Sequence, residues 1–383
     1  MPGQAFSVRR DAVRGRRLKV TSMKNVFDAH DPANIAKAAE LIKKGGVVAF
    51  PTETVYGLGA DVFNEKAVCR VFEIKKRPDF DPLIVHVSNA AEAAQIFKEV
   101  PAEAVRLMKL FWPGPLTLVL PKKNTVPDLV TAGLDTVAVR VPQHAVALDF
   151  LRACGCPVAA PSANLFGHTS PTTAMAVFED LGDAPDMVLD GGQTSVGIES
   201  TVVKIENGCA VILRPGAVTA EDIKRIMPVS PAAGPSPAKG LESPGLLASH
   251  YAPWTPLALM DKPFEAFCTQ LQATHAGGEA GEKPWPRMGL LLFGEPPKAS
   301  MQNFSGLFEA IEILSAKKDL SEAASNLFKA MRKLDKMSLD FIIAEPVTDG
   351  GLGVAIMDRL FKAAAGHVGT AHFFDQWAGS GQT

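Results

Sequence analysis

A chain of 383 residues has room for two domains with their own cores, and a composition of 47% hydrophobic and 21% charged residues is ordinary for a globular protein. The formal net charge is -2, yet residues 1–24 carry +6, through Arg9, Arg10, Arg14, Arg16, Arg17, Lys19 and Lys24 against Asp11, so the remainder carries -8. An acidic body disfavours strong sequence-independent binding to nucleic acid, which needs many cations to displace counterions, and no apolar run approaches the length of a membrane span.

Residues 1–24 read as a disordered basic leader, Arg-rich like a targeting peptide but without the apolar core of a secretory signal. A mis-assigned start, at Met23, or an expression remnant is the competing reading. Asp31 and Pro32 are a cap and first-turn pair for a helix with Ile35, Ala38, Ala39, Leu41 and Ile42 on its apolar side and Gly45 at its close. Val47 to Phe50 is a short buried strand bounded by Pro51. Thr52, Glu53, Thr54 and Tyr56, with Gly57 and Gly59, read as a polar turn where the backbone folds tightly or approaches a ligand. Asn64 caps the next helix, and Lys75, Lys76 and Arg77 fall in its last turn before Pro78. Those cations either complement the helix dipole, worth up to about 1 kcal/mol, or clamp a polyphosphate. His86, inside the apolar strand Leu83 to Val87, reads as a core histidine.

Helices over 90–97 and 101–111 lead to a rigid Trp112-Pro113-Gly114-Pro115 turn and a strand over 116–121. From Leu134 the sequence alternates, with Val137, Val139 and Val141 on one face and Thr136, Ala138 and Arg140 on the other. An arginine in mid-strand is costly to bury unless an anion meets it, and a structural salt bridge and a bound ligand both satisfy that condition. Pro161, Ser162, Ala163 and Asn164 form a turn whose hydroxyl and backbone N–H groups serve as helix-cap chemistry or as an anion site. Strands over 187–190, 202–205 and 211–213 follow, the last ending at Arg214-Pro-Gly. Residues 228–256 have a linker's composition, although Ser243-Pro-Gly and His250-Tyr-Ala-Pro are not filler. Strands over 257–260, 288–293 and 341–344 alternate with helices such as 320–334, which predicts a second domain on a mostly parallel sheet. Ala273 to Pro286 reads as an exposed loop and residues 371–383 as a frayed tail. The five scattered cysteines build neither a disulfide framework nor a zinc site, as expected of reduced thiols in the cytoplasm.

There is no Walker A loop, no GxSxG and no HExxH, and Gly350-Gly-Leu-Gly lacks the third glycine of a dinucleotide fingerprint. The segments PTETVYGLGAD, KKRP, PLIVHV, WPGPLT, LDTVAVRVP, APSAN, GGQTSVGIESTV and LRPG, in that order, resemble the threonylcarbamoyl-AMP synthase family. The final third resembles its longer, two-domain Sua5 branch, and the likeness runs from about Val26 to about Gly366. It implies an α/β fold: a YrdC-like domain with a twisted mixed sheet at 25–227, a linker at 228–256 folded over the active-site mouth, and a smaller Rossmann-like Sua5 domain at 257–370.

The implied reaction joins L-threonine, bicarbonate or CO2, and ATP into threonylcarbamoyl-AMP and pyrophosphate. The magnesium ion implied with it is held mainly by the ATP phosphates. By the same resemblance Thr54, His86, Arg140, the backbone of Ala160, and Ser200 bind threonine, while Lys75, Arg77, Asp81, Thr136, Ser162, Asn164, Ser170, Arg214 and Tyr251 bind the nucleotide. Lys75, Arg77 and Arg140 would carry the catalytic charge. Two departures stand out: Asp81 where many relatives have Asn, and Leu246 where the family often has Met. The product would pass to the machinery that makes N6-threonylcarbamoyladenosine at position 37 of tRNA, with a weak contact to tRNA itself. An RNA-binding module is the alternative, but it predicts stacking aromatics on a basic domain, and the chain has two tyrosines, four tryptophans and an acidic body.

Overall fold

Short runs rich in Val, Ile, Leu and Ala pair into two sheets in the computed structural model, which describes residues 23–230, 244–245, 250–277 and 285–369. The basic leader up to residue 22, position 246 and the tail from residue 370 lie outside the described residues. The first sheet contains β1 (Val26–Asp28), β2 (Val48–Phe50), β3 (Gly57–Asp61), β4 (Ile84–His86), β5 (Leu116–Pro121), β6 (Thr136–Arg140), β7 (Val158–Ala159), β8 (Met187–Asp190), β9 (Thr201–Glu206), β10 (Cys209–Arg214) and β11 (Val229–Ser230). Its order is β1-β8-β2-β3-β7-β4-β6-β5-β9-β10-β11, with parallel and antiparallel neighbours mixed. This is the mixed α/β sheet expected from the sequence.

Period-two alternation sends neighbouring residues to opposite faces. Val47 and Ala49 join a core with the helices Glu65–Lys75 and Ala102–Phe111, while Val48 and Phe50 pack with Pro32–Lys43 and Ala145–Cys154. Asp31 accepts from the Ala33 N–H with Pro32 in the first turn, and the Asn64 side chain accepts from the Ala67 N–H, so both predicted caps are in place.

The second sheet is wholly parallel, in the order β12-β15-β13-β14, where β12 is Leu257–Leu259, β13 Met288–Leu292, β14 Ala310–Ile313 and β15 Phe341–Ala344. One of its faces is covered by the helices Leu320–Asp335 and Leu352–Ala363, and that core also takes in Val55 and Ile198 of the first domain and Tyr251 of the linker. The two domains therefore share apolar packing. No described helix is long and apolar enough to cross a membrane.

Several expectations need correction. Gly57 and Gly59 belong to strand β3, antiparallel to β2, and not to a turn. Glycine is required there because a Cβ on Gly59 would lie 2.6 Å from Val158 Cγ1 and 2.9 Å from Phe50 Cε1. The stretch read as a loop from Ala273 continues the helix Phe264–Gly277. Strand β14 and the helix Ala145–Cys154 were not read from the sequence, and β11 carries the first sheet into the stretch read as linker.

Substituting Gly59→Ala should lower the unfolding free energy by about 1–3 kcal/mol through overpacking of Phe50 and Val158, measured by urea denaturation. A midpoint equal to that of the unsubstituted protein would show that the two side chains yield freely.

Candidate functional site

The cleft opens where the loop after β2, the ends of β4 and β6, the turn after β7 and the segment before β9 come together. About 530 Å³ of space lies between its walls, solvent at the mouth included. Linker residues Pro244, Gly245, His250 and Tyr251 form one side of it.

Arg140 ends β6 on the face that alternation assigned to it, with 2% of its surface exposed. Its Nη1 donates to Thr54 Oγ1 at 3.0 Å and its Nη2 lies 3.4 Å from Glu53 Oε2. Thr52 Oγ1 donates to the Val55 carbonyl at 2.6 Å, so the 2.8 Å contact between Thr54 and Thr52 runs from Thr54 to Thr52. The polar loop is thus a relay that fixes Thr54 under the guanidinium. Burial lowers the pKa of Arg140, and the carboxylate of Glu53 works the other way. The Arg140 Nε, buried, has no hydrogen-bond partner among the described residues, nor has Glu53 Oε1.

Across the cleft, Ser200 Oγ lies 2.7 Å from Thr117 Oγ1 and accepts from Arg214 Nη2 at 3.2 Å. Arg214 also donates to the Ser200 carbonyl at 3.1 Å and to the Pro244 carbonyl at 3.4 Å, which ties the linker to this wall. The Ala160 N–H is spent on the Ile84 carbonyl, so any contact from the Ala160 backbone to a ligand falls to its carbonyl oxygen. His86 lies against Phe50, ring edge to face at 5.8 Å, with Nδ1 3.2 Å from the Ile84 carbonyl. Burial, reinforced by the charge of Arg140, pushes its pKa down to about 3. At neutral pH it is an uncharged imidazole.

Of the nine residues expected at the nucleotide, Arg77, Ser162, Arg214 and Tyr251 line the cleft. Lys75 does not reach the wall. Its Nζ is buried beneath the Ser162-to-Asn164 turn, donating to the carbonyls of Ser162 and Asn164 at 2.6 Å each and lying 3.4 Å from Asn164 Oδ1. Burial, with Arg77 nearby, lowers its pKa well below the usual lysine value. The Asn164 side chain in turn donates to the Leu165 and His168 carbonyls. Lys75 and Asn164 therefore build the turn that presents Ser162.

Arg77 spends Nε on the Asp81 carbonyl and Nη2 on the Pro82 carbonyl, and Asp81 Oδ1 lies 3.0 Å from that Nη2 as an ion pair without hydrogen-bond geometry. Burial raises the Asp81 pKa against the pull of Arg77. Ser170 turns its hydroxyl to Glu199, and Thr136 stands at the far end of β6 from Arg140. Neither lines the cleft.

The sequence reading gave no ligand role to Glu199, His250 or Tyr56, all of which line it. Glu199 accepts from Ser170 and, at 2.8 Å, from Nε of Arg359. Burial would raise its pKa, but Arg359 and Arg214 outweigh burial and hold it down. The Tyr56 hydroxyl donates to the Gly192 carbonyl at 2.7 Å and anchors the loop after β8. The Tyr251 hydroxyl sits so close to Gly245 that a Cβ there would lie 2.3 Å away, and Gly245 has φ of +80°. Three guanidiniums against the single carboxylate of Glu199 give the lining a positive balance in an otherwise acidic body. Among the described residues no three His, Cys, Asp or Glu side chains converge as a metal site.

A family model described as "Telomere recombination" matches residues 40–216, and one described as "Threonylcarbamoyl-AMP synthase, C-terminal domain" matches 218–365. The threonylcarbamoyl-AMP synthase of Pyrococcus abyssi is 40% identical over 348 residues, 90% of this chain and 98% of that protein. The chain belongs to the threonylcarbamoyl-AMP synthase family. That of Bacillus subtilis is 42% identical over 89% of this chain and 96% of its own. A crystal structure of P. abyssi Sua5 complexed with L-threonine superposes with a TM-score of 0.77 at 38% identity, covering 88% of this chain and 96% of that one. The protein is accordingly an enzyme of the threonylcarbamoyl-AMP synthase type, built on the two-domain plan.

The state of His86 makes a measurable prediction. The unfolded chain takes up a proton near pH 6.5 that the folded chain refuses until about pH 3, so this residue's contribution to stability falls as pH drops through that window. Replacing His86→Gln should flatten the dependence of unfolding free energy on pH below 6.5 by up to about 1.4 kcal/mol per pH unit. Equal slopes in denaturant titrations of the two proteins would contradict a buried neutral imidazole.

Proposed function

We propose that the enzyme condenses L-threonine, bicarbonate or CO2, and ATP into threonylcarbamoyl-AMP, releasing pyrophosphate, in the cytoplasm. The observation that carries this reading is Arg140, a buried guanidinium at the floor of a cleft with Nε unpaired and Thr54 fixed beside it. A buried cation so placed is best satisfied by an anionic ligand, and the carboxylate of L-threonine is the group assigned to it. The complex of P. abyssi Sua5 with L-threonine supports this assignment by similarity. Ser200 and Thr54 offer hydroxyls to the amino acid, the Ala160 carbonyl accepts from its amine, and neutral His86 borders it without adding charge.

Carboxylation of the threonine amine by CO2 forms the N–C bond of a carbamate and releases a proton, and with bicarbonate as the source the oxygen it loses leaves as water. A carbamate oxygen then bonds to the α-phosphorus of ATP as the bond from that phosphorus to the β-phosphate bridge breaks, and pyrophosphate leaves. Such a step needs positioning and neutralisation of charge more than a general base. Arg77 and Arg214 supply cations beside the cleft, Ser162 a hydroxyl, and Tyr251 an aromatic ring. Lys75 and Asn164 shape the turn that carries Ser162, and Ser170 steadies Glu199; Asp81 sets Arg77, and Thr136 is assigned to the far end of the nucleotide. Magnesium, which neutralises phosphate charge when bound, would arrive on the nucleotide, since the described residues offer no cluster of three ligands. The product is a mixed anhydride suited to acyl transfer, and its acceptor is taken to be the N6 of adenosine 37 in tRNA, through a separate transferase, with weak direct contact to tRNA.

Pyrophosphate release from ATP should require both L-threonine and bicarbonate, and the product mass should match threonylcarbamoyl-AMP. With Arg140→Ala, kcat/KM for threonine should fall by about a hundredfold or more, the scale of losing one partner of a buried charged pair. Release indifferent to threonine would overturn the assignment.

A further inference from the structure

Arg359 belongs to the second domain, in the helix Leu352–Ala363, yet its guanidinium is fully buried against the wall of the first-domain cleft. Its Nε donates to Glu199 Oε2 at 2.8 Å and its Nη1 to Asp358 Oδ2 at 2.6 Å. The guanidinium carbon lies 4.9 Å from the centre of the Tyr251 ring, within cation–π range. Both Glu199 and Tyr251 line the cleft, and Glu199 directly precedes Ser200 while its other oxygen receives the Ser170 hydroxyl. One side chain from the second domain thus reaches the wall beside Ser200 and the linker wall together.

Domain docking alone does not call for this arrangement. Lys336 meets Glu179 at 2.6 Å across the same boundary with 60% of the lysine side chain exposed, and Arg332 pairs with Asp180. Apolar packing of Val55, Ile198 and Tyr251 against the second core adds to these ties. A buried ion pair is a poor way to gain stability, because desolvation offsets the attraction, but it is an effective way to fix geometry, because each partner is left uncompensated if the other moves. Arginine also offers Glu199 a directional donor and the tyrosine a planar cation, which lysine cannot do together.

We propose that Arg359 is a positioning residue for the reaction: by holding Glu199 and the Tyr251 ring at once, it makes the second domain a structural part of the substrate cleft. This rests on the proposed function above. Docking of the second domain and occupation of the cleft are then coupled, since a ligand that needs both walls favours the docked state.

The test compares Arg359→Met, Arg359→Lys and Lys336→Ala in the full-length protein, by threonine-dependent pyrophosphate release and by thermal melting. Arg359→Met should raise the KM for ATP and for L-threonine by about tenfold or more each, with kcat falling less than KM rises. Arg359→Lys should restore part of the loss, while Lys336→Ala should leave both KM values unchanged whatever it does to the melting temperature. If Arg359→Met does not fold, Arg359→Lys carries the test: a raised KM for ATP at the original melting temperature supports the proposal. Unchanged KM values in a folded Arg359 variant, with the unsubstituted enzyme active, would overturn this proposal and leave the proposed function standing. An unsubstituted enzyme with no threonine-dependent release would sink both.

Discussion

A guanidinium that keeps its charge with 2% of its surface exposed is the constraint around which the cleft is organised. Arg140 stands at the end of a central strand, where solvent cannot stabilise it, so the surroundings must. Glu53 gives partial neutralisation at 3.4 Å, and the chain of hydroxyls from Thr54 through Thr52 to the Val55 carbonyl keeps one acceptor fixed in place. Neutral His86 adds no further positive charge. Among the described residues the Arg140 Nε has no hydrogen-bond partner, and the proposed recognition of an anion rests on that donor.

The same economy recurs on the other wall, where the cations divide into two kinds. Lys75 is engaged with the Ser162 and Asn164 carbonyls and the Asn164 side chain, and so braces a turn. Arg214 is shared between Ser200 and the Pro244 carbonyl, so a change in the linker is felt at the cleft. Reading the sequence for clusters of Lys and Arg treats these residues alike, whereas the fold separates the cations that line the cleft from those that brace its wall.

What was legible in the sequence follows from this division. Alternation along β6 identified Arg140 and its face, because a strand's period is strict and a charge on it stands out. Caps at Asp31 and Asn64 were legible because their chemistry is local. Strand β3 was misread because glycines carry no side chain to display alternation, and the reason for Gly59 lies in Phe50 and Val158, the latter far along the chain. Glu199 went unnoticed as a wall residue for the same reason, its partner Arg359 being 160 residues away. Strand β14, half-exposed with Glu312 in its middle, lacks the apolar signature that marked its neighbours. Lys75 was assigned to phosphate by resemblance, and its contacts to the carbonyls of a turn leave no trace in residue type.

The strand order of the first sheet also constrains how the chain reaches its native state. Val26 pairs with Val188, and β5 lies between β6 and β9, so the sheet joins segments remote in sequence. Chains dominated by non-local pairing fold slowly, since loop-closure entropy is spent before the contacts form. During synthesis, β1 and β2 emerge with apolar faces long before their partner β8 exists, leaving unpaired edges exposed to other chains. The cleft, assembled from the ends of these same strands and bordered by Tyr251, has its lining complete only once the chain has been made through residue 251. A chain stalled before β8 would leave the edges of β1 and β2 unpaired and the cleft without Glu199, Ser200 and Arg214.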